Sequence, residues 1–585
     1  MKKKVLVLVN HLFLDNADTE YLYYSETLSK NFLFNNKTKI NLVNSNSDKL
    51  DEKKINLEKI KKYKRLFYKD LLLILESILK KKFIERFWNI LLGPWFHHSL
   101  EVFYNRYYSI KYIVSKYNID EVIIDKSISV KDFAKKNTLQ FFLNLNSPVF
   151  NAYVYQSICA SINVKFRIYD SSFNSLFVKQ NFFFKKFYNK FIFLIITIIL
   201  RNKKILIVDT YFSKIKELIL NINLRTVPIL FFRDFFEDYN SYKFYYCIRE
   251  KIIKKYTTHD NEELKCIKTL LVNSFPRSLL ENFNYFSRKI LKYKVVNKIK
   301  YIITAQNFDT NEYFKYFAAY SVLNNCKIFY IQHGNQDGTN KFDLYENPAE
   351  TSDVFFTWGW KIRDNNKILF NVKVSGQERN HLNKKLGTNL IFFLSQQPIR
   401  RNFFDVKNIY YKQHFNEFIF IENISKNILK STIIKEHPFN LSYESEDKSI
   451  LESKIKKINH DIKICGLYDL KKTLKKVKIS VYSYDSTGFY EHLSLNKPVI
   501  AFWADCFDDL REEAIIYYKS LFDANIIFSN PVDAANHINK HWNNINDWWF
   551  SFKTQKAVNY FISKYSIYEN KPISIFKDKL LDLIK

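Results

Sequence analysis

The chain has 585 residues, of which 47% are hydrophobic and 26% are charged. This composition excludes an intrinsically disordered chain, and the small numbers of glycines (8) and prolines (10) exclude collagen-like and other low-complexity classes. At about 100–200 residues per domain, the length predicts between two and four domains.

The charge is strongly positive, because 91 Lys and Arg residues against 59 Asp and Glu residues give a formal net charge of +32. One interpretation is an anionic partner, such as a nucleotide, a nucleic acid or a membrane surface. The other is coding bias, because Lys, Asn, Ile, Phe and Tyr are frequent together, as an AT-rich coding sequence produces. The charge bears on partners and solubility and leaves the fold open.

The cysteines and the most apolar segments bear on the cellular compartment. The six cysteines lie far apart and form no C-x-x-C pair, which argues against a disulfide framework and a zinc site. The start, MKKKVLVLV, contains an apolar run too short for a signal peptide. The run FIFLIITIIL, at 191–200, is about half as long as a spanning helix and predicts a buried helix or a segment on a membrane surface. We therefore expect a cytoplasmic protein, either free or attached peripherally to the inner membrane.

Short apolar, β-branched runs recur along the chain, each followed by polar or turn residues. Near-continuous apolar strands between longer helical stretches are typical of buried parallel sheets in βα units. Two series follow one another, so the pattern predicts an α/β protein with two doubly wound domains. The first series is 4–9, 121–126, 204–209, 300–304, 327–332 and 353–358, and the second is 370–375, 389–395, 431–436, 478–483, 498–503 and 525–529.

The polar, unpatterned stretch Lys361–Leu369 predicts the domain boundary. It gives an amino-terminal domain at 1–365 and a carboxyl-terminal domain at 366–585. Helical patterns also occur outside the strand series, as insertions in the first domain and as terminal helices in the second. They lie at about 50–115, 130–200, 210–300 and 533–583.

Ligands of open α/β sheets bind beyond the carboxyl ends of the strands, so the residues that follow the strands are the candidates for function. The segment 332–338, QHGNQDG, follows one strand and holds two of the few glycines. His333 can donate to a phosphate or act as an acid or base near neutral pH, and Asp337 is a second candidate catalytic group. The alternative is an ordinary turn with a packed histidine.

A second candidate, KEHP, begins at the end of the strand 431–436. Pro438 fixes the loop, His437 can hydrogen-bond a donor phosphate, and Lys435 adds positive charge. The alternative is a strand-end loop with an exposed histidine.

A third candidate is YSYDSTG, at 482–488, between a strand and a predicted helix. Hydroxyls and free backbone N–H groups at a helix start form an anion site, so Ser486, Thr487 and Gly488 are predicted to hold a phosphate. Glu491, one turn into the helix, can accept hydrogen bonds from ribose hydroxyls. The alternative is plain capping of the helix.

Two further carboxylates follow strands, Asp15 and Asp309, and either can serve as the base that deprotonates an acceptor hydroxyl. The chain contains no Walker loop, G-x-G-x-x-G, H-E-x-x-H or G-x-S-x-G motif. Kinase, dehydrogenase, zinc protease and serine hydrolase functions therefore lose support.

Three groups of residues, spread over most of the chain, form a specific combination. They are Leu92-Gly93-Pro94-Trp95-Phe96 with Tyr104-Asn105-Arg106-Tyr107; Gln332-His333-Gly334 with Phe355-Phe356-Thr357-Trp358-Gly359-Trp360; and Ser486-Thr487, Glu491, Pro498, Phe502-Trp503, Leu510-Arg511, Glu513-Ala514, Trp542 and Trp548-Trp549. Together they resemble a family of bacterial transferases of surface-carbohydrate biosynthesis. The amino-terminal stretch shares little with that family beyond a first strand.

The resemblance implies a GT-B-like glycosyltransferase, with two Rossmann-like domains facing a cleft. The amino-terminal domain would bind a glycan or lipid-linked acceptor, and the carboxyl-terminal domain a nucleotide-activated sugar. The His-Pro and Ser-Thr elements are more distantly similar to those of bacterial sialyltransferases, Kdo transferases and glycerol-phosphate polymerases, where they hold the phosphate of a cytidine nucleotide. By that likeness, His437, Ser486 and Thr487 are donor-phosphate ligands.

The expected function is transfer of a sugar, with a CMP-linked nonulosonic acid or Kdo as the first choice, during synthesis of a surface polysaccharide or the O-antigen of lipopolysaccharide. No metal and no cofactor is expected, because histidine, hydroxyls and a helix dipole can supply the positive field. One alternative is transfer of a polyol phosphate from a CDP-linked donor by the same fold. The other is a basic nucleic-acid-binding protein without catalysis, although no nucleic-acid-binding motif is apparent.

Overall fold

The computed structural model describes residues 2–9, 11–28, 32, 39–45, 50–170, 204–226, 242–292, 294–342, 347–382, 386–395, 410–435, 455–458, 460, 462–465, 473–474, 476–504 and 507–584. The apolar run 191–200 and the pair His437 and Pro438 lie outside these residues, so the predictions made for them stay predictions.

The first sheet is formed by the amino-terminal strands and is entirely parallel, in the order β3-β2-β1-β4-β5. Its strands are β1 (Lys3–Val7), β2 (Thr19–Tyr24), β3 (Asn41–Val43), β4 (Glu121–Asp125) and β5 (Phe166–Tyr169). The helices of this region are α1 (Leu50–Leu79), α2 (Glu85–Tyr117), α3 (Val130–Phe133), α4 (Thr138–Asn144) and α5 (Pro148–Ser161). A short 3-10 turn, Ser25–Thr27, follows β2.

The second sheet is also parallel, and its strands lie in simple sequential order, β10-β9-β8-β7-β6. They are β6 (Ile205–Ile207), β7 (Tyr301–Thr304), β8 (Lys327–Ile331), β9 (Val354–Thr357) and β10 (Asn366–Ile368). The helices of this part of the chain are α6 (Lys214–Asn223), α7 (Tyr246–Tyr256), α8 (Glu262–Ser274), α9 (Phe283–Leu291), α10 (Asn307–Thr310), α11 (Glu312–Val322), α12 (Gln336–Thr339) and α13 (Asn347–Thr351).

The third sheet has the doubly wound order β13-β12-β11-β14-β15-β16, with every pair parallel. Its strands are β11 (Asn389–Phe393), β12 (Thr432–Lys435), β13 (Lys463–Ile464), β14 (Val477–Tyr482), β15 (Val499–Phe502) and β16 (Ile527–Phe528). The accompanying helices are α14 (Tyr410–Asn423), α15 (Lys426–Leu429), α16 (Thr487–Ser494), α17 (Glu512–Asp523), α18 (Pro531–His541), α19 (Ile545–Trp549), α20 (Phe552–Tyr565) and α21 (Pro572–Ile584). The order reverses between β11 and β14, which creates a switch point where such sheets bind ligands.

The predicted α/β class with parallel sheets is confirmed, and the first and third sheets are doubly wound, whereas the strands of the second run in sequential order. The strands of the first predicted series, however, divide between two sheets instead of forming one. The 33-residue helix α2 packs against helices of both sheets: it is buried along most of its length and contacts α5 of the first sheet and α11 of the second. Apolar runs predict that strands exist, whereas the pairing of those strands depends on packing of this kind.

The predicted strand at 370–375 is wrong, because this segment is a turn. The Asn371 side chain accepts a hydrogen bond from the Lys373 backbone N–H, and the Asn371 carbonyl accepts from Ser375. Such local bonding by asparagine competes with strand pairing. The predicted boundary segment 361–369 contains β10, the edge strand of the second sheet.

Backbone hydrogen bonds and a buried ion pair join the region of the third sheet to the rest of the protein. Backbone N–H groups of Lys341 and Arg511 donate to the carbonyls of Asp509 and Thr339 at 3.0 and 2.8 Å. The Lys53 ammonium of α1 lies 2.9 Å from the Asp509 carboxylate, and about nine-tenths of each side chain is buried. The segment 339–341 is thereby fixed against 509–511.

The carboxyl terminus returns to the second sheet. Phe576 and Leu580 of α21 pack in one apolar cluster with Ile207 and Phe356, and the Ile567 N–H donates to the Trp358 carbonyl. Within the described part of the chain, no helix combines the length and apolar character needed to span a bilayer.

Gly359 is required where this returning segment crosses the second sheet. Its φ is +137°, and an added Cβ would lie 2.7 Å from the Lys564 carbonyl oxygen. We expect Gly359→Ala to lower the free energy of unfolding by about 1–3 kcal/mol, through backbone strain and this contact. Thermal denaturation measures the effect. The control is Gly334→Ala, whose Cβ meets no atom within 4 Å, and equal stability of the two variants would contradict the assignment.

Candidate functional site

The ends of β11 and β14 are held together at the switch point by one buried carboxylate. Glu417 of α14 is 2% exposed and accepts from the Ser395 backbone N–H at 2.6 Å and from the Ser483 hydroxyl at 2.5 Å. Ser483 directly follows β14, and Ser395 is the second residue after β11. The carboxylate therefore fixes the spacing of the two loops that border the switch point.

The segment after β14 forms the start of α16, as predicted. Ser486 is the N-cap, and its hydroxyl accepts from the Gly488 backbone N–H at 3.1 Å. Glycine is needed at 488, because an added Cβ would lie 2.5 Å from the Tyr482 hydroxyl oxygen. The helix thus begins tightly against β14 with its positive dipole end at the strand terminus.

His492, on the same helix, anchors α16 to the sheet. Its Nε2 lies 2.9 Å from the Ser480 hydroxyl, and its Nδ1 lies 2.8 Å from the Gly488 carbonyl oxygen. Burial lowers the pKa of His492 to about 4, so the imidazole is neutral at neutral pH.

The loop after β8, which carries the predicted His333, is shaped by the Gln332 side chain. Its carbonyl oxygen accepts from the Trp358 backbone N–H at 2.7 Å and from the Trp360 indole at 2.9 Å, while its amide donates to the Gly334 carbonyl. Gly338 lies against the Trp360 ring, where a Cβ would approach to 2.4 Å. The Trp360 ring therefore requires glycine at position 338.

The two predicted loops meet. The hydroxyl of Thr487, at the start of α16, donates to the side-chain oxygen of Asn335, in the loop after β8, at 3.2 Å. Asn335 is 6% exposed, and its Nδ2 has no hydrogen-bond partner among the described residues. A buried amide donor without a partner is costly, and it indicates a place where a ligand oxygen can bind.

His333 lies beside this contact in a largely buried position. Its Nδ1 is 3.3 Å from the Tyr330 hydroxyl, and its ring stacks on Tyr211 with centroids 5.8 Å apart. Burial, and secondarily the charge of Lys373, lower the pKa of His333 to about 4. The imidazole is therefore neutral near pH 7.

Lys373 and Glu491 bring opposite charges to the same place. The Lys373 ammonium is 4.0 Å from the Glu491 carboxylate and 4.6 Å from the centroid of the Tyr211 ring. Burial lowers the pKa of Lys373 and raises the pKa of Glu491. Neither ion is fully compensated by the other at this distance, so an anionic ligand would stabilise the cation.

We call this set of residues the strand-end junction. It comprises Tyr211, His333, Asn335, Lys373, Ser486, Thr487, Gly488 and Glu491. The sequence predicted five of them. It missed Tyr211, which lies four residues after the end of β6, and it gave no role to Asn335. It also missed Lys373, because the segment 370–375 was interpreted as a strand.

The other predicted site residues lie in several places. Asp309 and Asp337 are close enough to the Tyr330 hydroxyl that their charges raise its pKa, after burial as the main cause. Lys435 is buried, and its ammonium donates to the Cys465 carbonyl at 3.4 Å. Asp15 is exposed in the loop between β1 and β2, beside Tyr23, and no described contact joins it to the strand-end junction.

The described residues contain no group of three or more His, Cys, Asp and Glu side chains positioned to hold a metal ion. The five described cysteines are free thiols.

A family model described as the LIC12162 family transferase matches residues 15–580, nearly the full length of the chain. The chain belongs to the LIC12162 family of transferases. The predicted transferase class is thereby confirmed, whereas the surface-carbohydrate role stays a prediction. No curated protein matches this family member.

Solved structures resemble this LIC12162 family transferase only distantly. HepE from Anabaena, in complex with UDP and glucose, is 10% identical, covering 65% of this chain and 98% of its own, with a TM-score of 0.34. The UDP-GlcNAc 2-epimerase of Methanocaldococcus jannaschii is 15% identical, and the match covers 65% of this chain and 99% of the epimerase, also with a TM-score of 0.34. UGT71G1 of Medicago truncatula, complexed with UDP-glucose, is 9% identical, and the match covers 100% of this chain and 98% of UGT71G1, with a TM-score of 0.20. Similarity this low carries no conclusion about chemistry.

The neutral, buried His492 makes the stability of the LIC12162 family transferase depend on pH. The pKa of about 4 is below that of an unfolded histidine, so the unfolded chain binds the extra proton as the pH falls from about 6.5 to about 4, and stability is lost. Buried Glu217 and Glu491 have raised pKa values and act in the opposite direction. The test is therefore a comparison of wild type with His492→Gln.

We expect His492→Gln to be less stable than wild type at about pH 7, because it loses the bonds to Ser480 and Gly488. The difference in melting temperature should narrow toward about pH 5, since only the wild type loses stability through this imidazole. A constant difference across that range would show that His492 is not held neutral.

Proposed function

We propose that the protein is a glycosyltransferase that takes a sugar from a nucleotide-activated donor and binds the donor phosphate at the strand-end junction. The observation that carries the proposal is the contact between Thr487 and Asn335. It supports the proposal because it joins the helix start at the switch point to a loop that holds an unpartnered amide and a neutral imidazole.

The phosphate is assigned to the start of α16. The positive dipole end of the helix favours an anion, and the Ser486 hydroxyl, whose oxygen accepts from the Gly488 N–H, can donate its own proton to the phosphate. Thr487 can add a second donor by turning its hydroxyl proton from Asn335 to the phosphate. Lys373 supplies the positive charge in a half-buried setting, where a charged hydrogen bond to phosphate is stronger than in water. These groups would stabilise the negative charge that develops on the departing nucleotide, so the proposal needs no metal ion.

The acceptor reaction is assigned to the side of the junction that holds His333. An acceptor hydroxyl oxygen forms the new bond to the anomeric carbon, and the bond from that carbon to the phosphate oxygen breaks with its electron pair on the nucleotide. The hydroxyl proton passes to a base. His333 is neutral and fixed by Tyr330 and Tyr211, and Asp309 and Asp337 are the alternative bases. Asp15 is the weakest candidate because it is exposed and beside Tyr23.

The finer identity of the substrates follows from the sequence resemblance. It favours a cytidine donor, a CMP-linked nonulosonic acid or Kdo, with Lys435, His437 and Pro438 contributing to donor binding and Glu491 to the ribose. The acceptor would be a glycan or lipid-linked glycan of a surface polysaccharide or O-antigen. Turnover of CDP-polyols in place of CMP-, UDP- or GDP-sugars would assign the chain to polyol-phosphate transfer.

The Ser486 hydroxyl has two roles, as a cap and as a phosphate ligand, and these can be separated. We expect Ser486→Ala to reduce kcat with the preferred donor about 10²–10³-fold, because one donor to the leaving phosphate is lost. The matched control is Ser551→Ala, which removes the serine N-cap of α20 outside the junction. Each cap loss should cost about 1 kcal/mol of stability, and only Ser486→Ala should lose turnover. Equal turnover in the two variants would remove Ser486 from phosphate binding.

Lys373 is expected to set donor affinity. Lys373→Met keeps the length of the side chain and removes the charge, so the Kd for the free nucleotide should rise about 10–100-fold, as expected for loss of a charged hydrogen bond. Isothermal titration measures this. The control is Lys367→Met, an exposed lysine on the edge strand β10, which should leave the Kd unchanged. An unchanged Kd in Lys373→Met would place the phosphate elsewhere.

A further inference from the structure

Helix α6 presents an apolar face to solvent. Ile215, Leu218, Ile219 and Ile222 are exposed to 72%, 37%, 42% and 63%, respectively. Their spacing of three and four residues places them on one side of the helix. Four contiguous aliphatic side chains on one short helix differ from single exposed apolar residues, which are common.

The opposite face of α6 is fixed to the protein. Glu217, Leu220 and Asn221 are buried, and Leu220 packs in the apolar cluster under the second sheet. The Glu217 carboxylate accepts from the Thr210 backbone N–H at 2.9 Å. These contacts prevent α6 from turning about its axis to bury the four aliphatic side chains. The apolar face therefore stays exposed in the structure and would gain from contact with another apolar surface.

The charge around this face is positive. The exposed Lys214 begins α6, whereas the single acidic residue of the helix, Glu217, is turned inward. Lys216 is half-buried. Arg225 follows the helix, and the whole chain carries a formal charge of +32. A short helix with an apolar face and basic residues beside it is typical of segments that lie in the interface of an anionic membrane.

The helix is also close to the strand-end junction. Tyr211, which stacks on His333, precedes α6 by three residues. The Lys216 ammonium donates to the Ser375 carbonyl, two residues from Lys373. A surface that holds α6 would therefore lie near the place where an acceptor hydroxyl is proposed to react.

We propose that the apolar face of α6 docks on the surface of an anionic lipid bilayer. The Ile and Leu side chains enter the boundary between headgroups and acyl chains, and the exposed Lys214 and Arg225 meet anionic headgroups. A second copy of the chain is a poorer occupant, because four side chains cover far less than the roughly 800 Å² that each partner buries in a stable dimer. The docking does not depend on the proposed sugar transfer, although it would bring a lipid-linked acceptor to the junction.

Flotation of the full-length protein with vesicles tests the proposal. The vesicles are phosphatidylcholine alone or phosphatidylcholine mixed with phosphatidylglycerol, at low and high salt. The test variant is Ile215→Ser/Ile222→Ser, and the matched control is Ile516→Ser/Phe552→Ser, which removes two apolar side chains that are 56% and 83% exposed on α17 and α20.

We expect wild type and control to bind the anionic vesicles, and to bind them less strongly at high salt. The α6 variant should bind about tenfold more weakly or worse, because it lacks two aliphatic side chains that would enter the bilayer. Thermal denaturation should show all three proteins equally folded. Equal flotation of the α6 variant and wild type, or no flotation of wild type, would overturn the proposal. So would a wild-type dimer in solution that the α6 variant converts to a monomer, since the second copy would then be the occupant. Donor turnover on a water-soluble acceptor should be the same in all three proteins, which separates this result from the proposed function.

Discussion

The strand-end junction depends on one contact, between the loop after β8 and the segment after β14. Thr487 reaches Asn335 only because the third sheet is held against the second by backbone hydrogen bonds between 339–341 and 509–511. The buried pair of Lys53 and Asp509 adds a link from the first region to the same place. Small shifts of one sheet against the other would separate the hydroxyl from the amide.

The junction keeps polar and charged groups in a setting that disfavours them. Lys373 and Glu491 are half-buried at 4.0 Å from each other, and the Asn335 Nδ2 has no partner among the described residues. The nearby Asp485 has a shorter contact, because one of its carboxylate oxygens accepts from the Tyr518 hydroxyl at 2.8 Å, and it belongs to the packing of α17 against the helix start. The Lys373–Glu491 pair is longer, at 4.0 Å, so a bound anion would add to the stabilisation of the Lys373 ammonium.

The sequence predicted most of the strands and the position of the helix start after β14, because strongly apolar runs bounded by polar residues report burial directly. It also predicted that the loops after β8 and β14 carry function, and the structure brings these two together. It did not predict that β1 to β9 form two sheets, since apolar runs do not specify which strands pair. The role of Lys373 was not predicted, because the segment 370–375 alternates like a strand, whereas the Asn371 side chain holds it in a turn.

A crystal structure with a bound nucleotide tests the central claim most directly, using CMP, CDP and UDP in separate crystals. The account predicts that the phosphate lies within hydrogen-bond distance of the Ser486 hydroxyl and the Lys373 ammonium, between β11 and β14. A nucleotide bound instead between β1 and β4, the switch point of the first sheet, would contradict it.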